Sequence, residues 1–591
     1  MKERDEKTPT PSELEKEISD FLTKKFGGHV KVAAPFVLQQ QNETDEGKKK
    51  ASREKKIRFD LKPEDLIAHL DQYVIKQDRA KAILATKICT HFNRIKRHQA
   101  RPDSVDDMVG SIKNNVLMIG PTGVGKTYMI KLIAQKIGVP FVKGDATKFS
   151  ETGYVGGDVE DLVRDLVREA DGDIEYAQYG IIYIDEIDKI ASSRNIIGAD
   201  VSRTGVQRAL LKPMEETEVD LKVPHDPISM LQEVERFRKT GKREKNAVNT
   251  KNILFIMSGA FSDLPEIIHK RISSQGIGFG AQIPKTEDKA NILQHIKSED
   301  LIQFGFESEF VGRLPVRAVF ERLQEEDLYR ILKNPNNPII LGKKLDFAAY
   351  GIDAKFEDKA LHILAKRAYA ENTGARGLVS AVENALLLFE KKLPSSTIEI
   401  FSVIEQVVKA PEKSMDSILN PLHAQEWRAT FDRLKEEEKT AIMDYLNSNR
   451  ENVIRKYQMD LTASRMEAIA DGYVKHVTDI GKILDKIKSY YHQTKTIELY
   501  FLKNHDINIV LEDSAIDYII ENLIKESLDF NTIYAQFSEN FVHGLKLVRD
   551  RTGKNRFFLT KEALVSPETF ISKLIKDNPD DGNAINRIGN P

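Results

Sequence analysis

Residues 115–127 read Asn-Val-Leu-Met-Ile-Gly-Pro-Thr-Gly-Val-Gly-Lys-Thr, an apolar run that leads into a glycine-rich loop. The run suits a short buried strand, and the residues after Lys126 have the composition and length of a helix. Glycines let the backbone wrap closely around a phosphate with its N–H groups pointing inward. The sequence therefore predicts a phosphate-binding loop between a strand and a helix, in which Lys126 contacts the β- and γ-phosphates and the Thr127 hydroxyl holds Mg²⁺.

An acidic pair completes a nucleotide-triphosphate site in the sequence. Asp185 and Glu186 follow a second apolar run, residues 180–184, which predicts another buried strand. Such a strand delivers Asp185 to the metal and Glu186 to an attacking water. Because strand, loop, helix and acidic pair occur in the required order, a chance match of the loop is disfavoured, and we expect ATP and Mg²⁺ as cofactors. The predicted nucleotide-binding residues of the loop are Pro121, Thr122, Gly123, Val124, Gly125, Lys126, Thr127 and Tyr128, with Thr127 and Asp185 as metal ligands.

Composition and charge narrow the class of protein. The chain has 591 residues, 40% of them hydrophobic, and a net charge of -2. Its length allows about three or four domains, and the near-neutral charge gives no basic footprint for nucleic acid. No apolar run approaches the ~20 residues that span a bilayer, and the polar start of the chain lacks the apolar region of a signal peptide. We therefore expect a cytoplasmic protein without a membrane or nucleic-acid partner.

Alternating strand and helix patterns predict an α/β fold with a parallel sheet. Its strands are expected near residues 115, 140, 180, 252 and 315. Helical periodicity dominates from residue 323 onward, and residues 42–56 are polar and densely charged, as in a solvated linker. The predicted organisation is a partly disordered N-terminal segment over residues 1–57, a large α/β domain over 58–322, a small helical domain over 323–410 and a mostly helical extension over 411–591.

Four further motifs accompany the nucleotide site. They are Leu70-Asp-Gln-Tyr-Val-Ile-Lys-Gln77, Gly153-Tyr-Val-Gly156, Glu309-Phe-Val-Gly-Arg-Leu-Pro315 and Thr373-Gly-Ala-Arg-Gly-Leu378. With these motifs, residues 60–408 resemble the AAA+ protein unfoldases and, among them, the ClpX family. The resemblance implies an AAA+ P-loop NTPase large domain followed by a helical small domain. It also implies a homo-hexameric ring that uses ATP to act on unfolded or tagged protein substrates.

The resemblance assigns roles to two of these motifs in the large domain. Tyr154 and Val155 would form the pore loop that grips a translocating polypeptide, and the alternative is an ordinary surface turn. Arg313 would act in trans as an arginine finger at the γ-phosphate of the neighbouring subunit. The alternative for Arg313 is an ion pair with Glu309.

The other two motifs are implied to contact the nucleotide. Arg376 would be the second sensor, which reaches the phosphates from the small domain, so that the nucleotide state sets the angle between the two domains. Val74 and Ile75 would flank the adenine. Lys76 stands where the family usually has glycine, so the backbone conformation there is left open.

A separate motif, Gly276-Ile-Gly-Phe-Gly280, alternates glycine with two large apolar residues. This pattern makes a poor strand and a poor helix, and it predicts an exposed flexible loop. Exposed Ile277 and Phe279 imply a partner. In the resembled family the Ile277-Gly278-Phe279 tripeptide docks on a ClpP-type peptidase ring, and the alternative is a buried turn.

The chain also departs from the family. Its single cysteine, Cys89, predicts a packed thiol and cannot form the family's four-cysteine zinc module. The family's Arg-Lys-His loop at the pore entrance is absent from residues 214–252, where a longer segment includes the basic stretch 234–245. Residues 202–211 and 255–261 are more similar to the sister unfoldase HslU.

The extension contains a candidate internal sequence repeat. Residues 352–361 and 507–516 align at a constant offset of 155, which puts Asn531 opposite Arg376. We interpret residues 505–575 as a degenerate second small domain that lacks the sensor arginine. Shared helical periodicity between two unrelated segments is the alternative interpretation.

Together the motifs predict an ATPase that threads polypeptide through a hexameric pore into a ClpP-type peptidase and carries no protease site of its own. A remodelling chaperone without a peptidase is the nearest alternative, and the loop of residues 277–279 distinguishes the two. A nucleic-acid AAA+ motor would require a salt-dependent affinity for DNA, which the near-neutral charge disfavours. A nucleotide-regulated scaffold would require a damaged site, whereas Glu186, Arg313 and Arg376 are all present.

Overall fold

A parallel sheet lies at the centre of the large domain. The computed structural model describes residues 59–100, 113–149, 158–191, 201–221, 247–275, 292–525 and 530–576. Five strands form the sheet in the order β2-β3-β6-β1-β7, and all the pairings are parallel. The predicted α/β fold with strands near 115, 140, 180, 252 and 315 is confirmed. The strands of this domain are β1 Val116–Ile119, β2 Phe141–Asp145, β3 Ile181–Asp185, β4 Glu218–Asp220, β5 Ala247–Asn249, β6 Leu254–Gly259 and β7 Val316–Val319, of which β4 and β5 form a separate antiparallel ribbon.

Helices cover both faces of the sheet, which explains why the strands are almost continuously apolar. Val116 and Met118 of β1 face one hydrophobic core and Leu117 and Ile119 face another. The first core also holds Cys89, which is buried as predicted. The helices of the large domain are α1 Pro63–Asp71, α2 Asp78–Ala100, α3 Lys126–Ile137, α4 Asp161–Glu169, α5 Ile174–Ala177, α6 Val201–Met214, α7 Leu264–Gln275, α8 Ser298–Phe304 and α9 Ser308–Gly312.

The small domain is built from helices around one short parallel strand pair, β8 with β9. Each strand has four residues, too few to stand out from the helical periodicity around them. The last helix buries Met415 and Ile418 in the core shared with the rest of this domain, so the packing favours a boundary after Leu419 rather than at residue 410. The elements are α10 Glu325–Lys333, α11 Pro338–Ala348, β8 Asp353–Phe356, α12 Asp358–Ala370, α13 Arg376–Lys392, β9 Ile400–Val403, α14 Glu405–Lys409 and α15 Pro411–Leu419.

The extension has a hydrophobic core of its own, which includes Leu446, Ile469, Phe501, Ile516 and Leu545. It is fastened to the small domain by buried charges, because Glu438 pairs with both Lys344 and Lys355. Its elements are α16 Ala424–Ser448, α17 Arg450–Tyr457, α18 Ala463–Lys475, α19 Ile480–His505, β10 Asn508–Leu511, α20 Asp513–Lys525, α21 Phe530–Thr552, β11 Arg556–Leu559, α22 Lys561–Val565 and α23 Pro567–Lys576.

The end of the extension repeats the element order of the small domain from β8 to α15. An offset of 155 relates β8 to β10 and α12 to α20, with identical lengths, and an offset of 156 relates β9 to β11 and α14 to α22. The two strand pairs are parallel and in the same register, because Asp353 opposes Ile400 as Asn508 opposes Arg556. We call residues 508–576 the C-terminal repeat.

Candidate nucleotide site

The phosphate loop connects β1 to α3, at the carboxyl ends of the parallel strands. Gly123 and Gly125 have φ angles of 74° and 92°, in the left-handed region that glycine favours. The Lys126 ammonium donates hydrogen bonds to the carbonyls of Gly120 at 2.6 Å and Pro121 at 2.8 Å. Burial lowers its pKa to about 8, although Asp185 and Asp188 act in the opposite direction. The loop, the start of α3 and Lys126 thus lie together in an arrangement that would suit phosphate groups.

The predicted metal ligands lie together beside the loop. The Thr127 hydroxyl donates to Asp185 Oδ2 over 3.4 Å, and Ser258 donates to Asp185 Oδ1 at 2.6 Å. Burial opposes ionisation of Asp185, but the hydrogen bond from Ser258 and the charge of Lys143, 3.1 Å away, lower its pKa below the ordinary value. An ionised carboxylate next to a hydroxyl is a donor set that suits a hard cation such as Mg²⁺.

Glu186 has an unusual backbone conformation. Its φ and ψ are 57° and 34°, a left-handed conformation that is uncommon outside glycine and concentrates at functional sites. The Glu186 N–H donates to Asp185 Oδ1 at 3.1 Å, and the Glu186 side chain is exposed beyond the end of β3. The turn after it is fixed because Asp188 accepts hydrogen bonds from the backbone N–H groups of Ala260 and Phe261. The carboxylate of Glu186 therefore projects from a rigid corner beside Asp185.

The small domain touches the phosphate loop directly. The Ala375 N–H donates to the Gly123 carbonyl at 2.8 Å, and a Cβ atom on Gly123 would lie 2.1 Å from the Thr373 carbonyl oxygen. Gly374 has a φ of 65°, and a Cβ there would lie 2.7 Å from the Gly123 carbonyl oxygen. Arg376 begins α13 at this contact, and its charge lowers the pKa of Lys126 further. The predicted sensor thus lies near the predicted phosphate lysine.

The segment predicted to flank adenine follows α1. Val74 is buried and Ile75 is half-buried. Lys76 adopts a φ of 61°, the left-handed conformation open to the glycine that the resembled family has here. Its side chain donates at 3.0 Å to both the Arg322 carbonyl and Asp327, and Gln77 exchanges two 2.8 Å hydrogen bonds with the backbone of Glu321. These contacts with residues 321, 322 and 327, between the end of β7 and the first turn of α10, support a conformation that is strained for lysine.

Arg313 lies just before β7, at the amino ends of the parallel strands, whereas the phosphate loop of its own chain follows the carboxyl end of the neighbouring β1. Its guanidinium forms an ion pair with Glu215, not with Glu309 as the alternative interpretation supposed. About half of the side chain, 47%, is exposed. The backbone is held in place because the Arg313 carbonyl accepts a hydrogen bond from Asn115 at 3.2 Å.

Two predicted elements, the pore-loop pair Tyr154 and Val155 and the docking tripeptide Ile277-Gly278-Phe279, lie outside the described residues.

Sequence reasoning missed the polar network beside the predicted metal ligands. Tyr183 Oη lies 2.6 Å from Ser258 Oγ and 3.0 Å from Thr127 Oγ1, and burial raises the pKa of Tyr183 to about 12. Lys143 of β2 and Ser258 of β6 meet Asp185 because both of their strands neighbour β3. The sequence does show a polar residue within each of these strands. Only the strand order, however, reveals that their side chains meet at Asp185.

Comparisons with known proteins agree with this geometry. Residues 112–317 match the AAA domain family (Cdc48 subfamily), and residues 323–389 match the C-terminal, D2-small domain of ClpB protein. The ATP-dependent Clp protease ATP-binding subunit ClpX of Treponema denticola is 42% identical over 329 residues, which are 55% of this chain and 75% of that protein. The proteins of the same name from Borrelia duttonii and Borrelia recurrentis are each 40% identical over 362 residues, which are 61% of this chain and 80% of those proteins.

The AAA domain makes the protein a nucleotide-binding ATPase. Across the described ranges, every helix is too short or too polar to cross a membrane. The extent and identity of the matches show that the chain belongs to the ClpX family of Clp protease ATP-binding subunits.

Proposed function

We propose that this chain is an ATP-driven protein unfoldase, which assembles into a hexameric ring and threads polypeptides through a central pore into a ClpP-type peptidase. Its relatives carry the name of Clp protease ATP-binding subunits. The observation that carries the proposal is the contact between Gly123 of the phosphate loop and residues 373–375 of the small domain.

That contact provides a mechanical link from nucleotide to domain movement. The atoms of the two loops are so close that a shift of the phosphate loop must displace the start of α13 or break the hydrogen bond from Ala375 to Gly123. Arg376 is the first residue of that helix. A change in the charge of the bound phosphates therefore acts on the small domain through one short segment.

In hydrolysis, Lys126 and Arg376 contact the phosphates from within the chain, and Glu186 orients the attacking water. Thr127 and Asp185 would hold Mg²⁺, which neutralises charge on the phosphate oxygens when it is bound. The left-handed backbone conformation of Glu186 points its carboxylate away from the hydrogen bonds around Asp185. The Glu186 carboxylate is therefore available to a water molecule.

The position of Arg313 supports a shared active site. Arg313 lies at the amino ends of the strands, and its own phosphate loop lies at their carboxyl ends. It can therefore serve a nucleotide only in a neighbouring subunit. Its ion pair with Glu215 is about half exposed, so exchanging Glu215 for a phosphate has a small electrostatic cost. In the same proposal, the extension takes the place of the family's zinc module as a docking or ring-bracing surface.

Degradation of a tagged fluorescent protein by the full chain with ClpP and ATP tests the function. Tyr154→Ala should keep ATP hydrolysis near the parental rate and abolish loss of fluorescence, since the shortened side chain completes the loop but cannot grip. Deletion of residues 277–279 should leave ATP hydrolysis and unfolding intact and abolish degradation. Normal unfolding by Tyr154→Ala would contradict threading. Unfolding by the parental chain without degradation when ClpP is present would favour the remodelling chaperone.

A further inference from the structure

The extension reaches the segment that is predicted to hold adenine. The Lys456 ammonium of α17 donates to Gln72 Oε1 over 3.4 Å, two residues before Val74. Gly481, in the first turn of α19, lies beside Tyr73, because a Cβ atom on Gly481 would be 3.4 Å from Tyr73 Oη. Two helices of the extension therefore contact the residues that immediately precede the base segment.

A buried asparagine joins this contact to the backbone. Asn336, in the turn between α10 and α11, is 6% exposed. Its Nδ2 donates to the Gln72 carbonyl at 3.2 Å, and its Oδ1 accepts a hydrogen bond from the N–H of Ile480, the first residue of α19, at 3.2 Å. Asn334 donates to the same Gln72 carbonyl at 3.0 Å. One side chain thus connects the start of α19 to the peptide group just before Tyr73.

The Asp479 carboxylate of the extension also acts on two tyrosines, Tyr73 and Tyr128. Asp479 caps α19 by accepting from the Lys482 N–H at 3.0 Å. Burial and, next to it, the Asp479 carboxylate raise the pKa of Tyr73 to about 12. Burial and the same carboxylate raise the pKa of Tyr128, which follows Thr127 in α3. Asp479 is therefore near both the residue before Val74 and the helix that starts at the phosphate loop.

We propose that α17 and α19 position the adenine-binding segment, with Asn336, Tyr73 and Gly481 as the positioning residues. The extension holds residues 72–75 in place, so that disturbing the contact weakens recognition of the base while the phosphate loop stays intact. This inference rests on the assignment of Val74 and Ile75 to adenine, and it is independent of any peptidase partner.

The experiment measures binding of ADP and of inorganic tripolyphosphate to the full chain by calorimetry. Asn336→Ala removes the hydrogen-bonded bridge. Gly481→Val inserts a side chain whose Cβ would lie 2.9 Å from Asp479 Oδ1 and 3.4 Å from Tyr73 Oη. Both variants should bind ADP about tenfold more weakly, a factor typical of coupling between sites, and bind tripolyphosphate as the parent does. Gly472→Ala in α18 is the matched control, because its new methyl group would meet Ile483 at an ordinary 3.6 Å. The control should leave both affinities unchanged.

Equal weakening of ADP and tripolyphosphate would overturn the proposal, since the defect would then lie in the phosphate loop or in folding. Unchanged ADP affinity in both variants would overturn it as well. Ile75→Ala separates this failure from that of the base assignment. If Ile75→Ala weakens ADP binding and the Asn336 and Gly481 variants do not, only the coupling is wrong. If Ile75→Ala has no effect, the adenine assignment itself is wrong.

Discussion

The part of the small domain from β8 to α15 and the C-terminal repeat have the same elements in the same order, yet the contacts described at the phosphate loop come from the small domain. The apolar positions match closely: Leu361, Leu364 and Ala365 are buried in one, and Ile516, Ile519 and Ile520, each 155 residues later, are buried in the other. The polar positions match only in part: Glu357 and Asp358 recur as Glu512 and Asp513, whereas Asn531 stands at the position of Arg376. The comparison indicates that this fold is specified by its apolar positions, whereas nucleotide contact depends on a few residues at one turn.

The surroundings of the two strand pairs also differ. In the small domain, Lys355 and Ser402 oppose each other across the pair and are buried beneath α16, where Lys355 Nζ lies 2.9 Å from Glu438. In the repeat, the opposed residues are Val510, which is half-buried, and Phe558, which is 49% exposed. The same face is therefore an internal contact in one region and solvent-accessible in the other.

The largest expected effect concerns a position that the two regions use differently. Asp517 of the repeat forms a buried ion pair with Arg465 at 2.5 Å, whereas the equivalent His362 stacks on Tyr329 and is exposed. Arg465→Ala leaves a buried carboxylate without its partner and should lower the free energy of unfolding by about 3–5 kcal/mol. His362→Ala should lower it by about 1 kcal/mol. Urea unfolding followed by circular dichroism measures both, and a loss below that of His362→Ala for the arginine variant would contradict this account of the repeat.

A smaller effect is expected from exchanging the residues on the two sheet faces. Ser402→Phe forces a ring beneath α16 and should destabilise the protein by about 1–3 kcal/mol. Phe558→Ser changes an exposed position and should stay within about 0.5 kcal/mol of the parent. The same urea titration compares the two variants. Equal losses would mean that the face of the repeat is covered as the face of the small domain is.

Much of the fold was predictable because it depends on local patterns. The five strands of the sheet, the phosphate loop and the offset of 155 residues all follow from apolar runs and glycines that are close together in the sequence. The two short strands of the small domain, β8 and β9, were not predicted, since four residues carry too little periodicity. Their hydrogen-bonded partners lie about 47 residues apart, which only the folded chain brings together.

The site was predictable only in its outline. Lys126, Thr127, Asp185 and Arg376 were identified from motifs, but the convergence of Ser258 on Asp185 depends on β6 lying next to β3. The left-handed conformation of Lys76 could not be predicted from the sequence, because contacts with Arg322 and Asp327, about 250 residues away, stabilise it. The partner of Arg313 is Glu215, which is 98 residues away in the chain and therefore outside any local pattern.

Steady-state ATP hydrolysis by Arg376→Ala and Asn531→Ala, the equivalent positions of the two regions, tests the central claim most directly. The claim is that nucleotide is contacted from the small domain and that the repeat has no part in this contact. Arg376→Ala removes a charge that acts on the phosphates and should reduce the rate by roughly 100-fold, the scale expected for one electrostatic group in the transition state. Asn531→Ala should hydrolyse ATP at the parental rate. Similar losses in both variants, or a normal rate for Arg376→Ala, would contradict the claim.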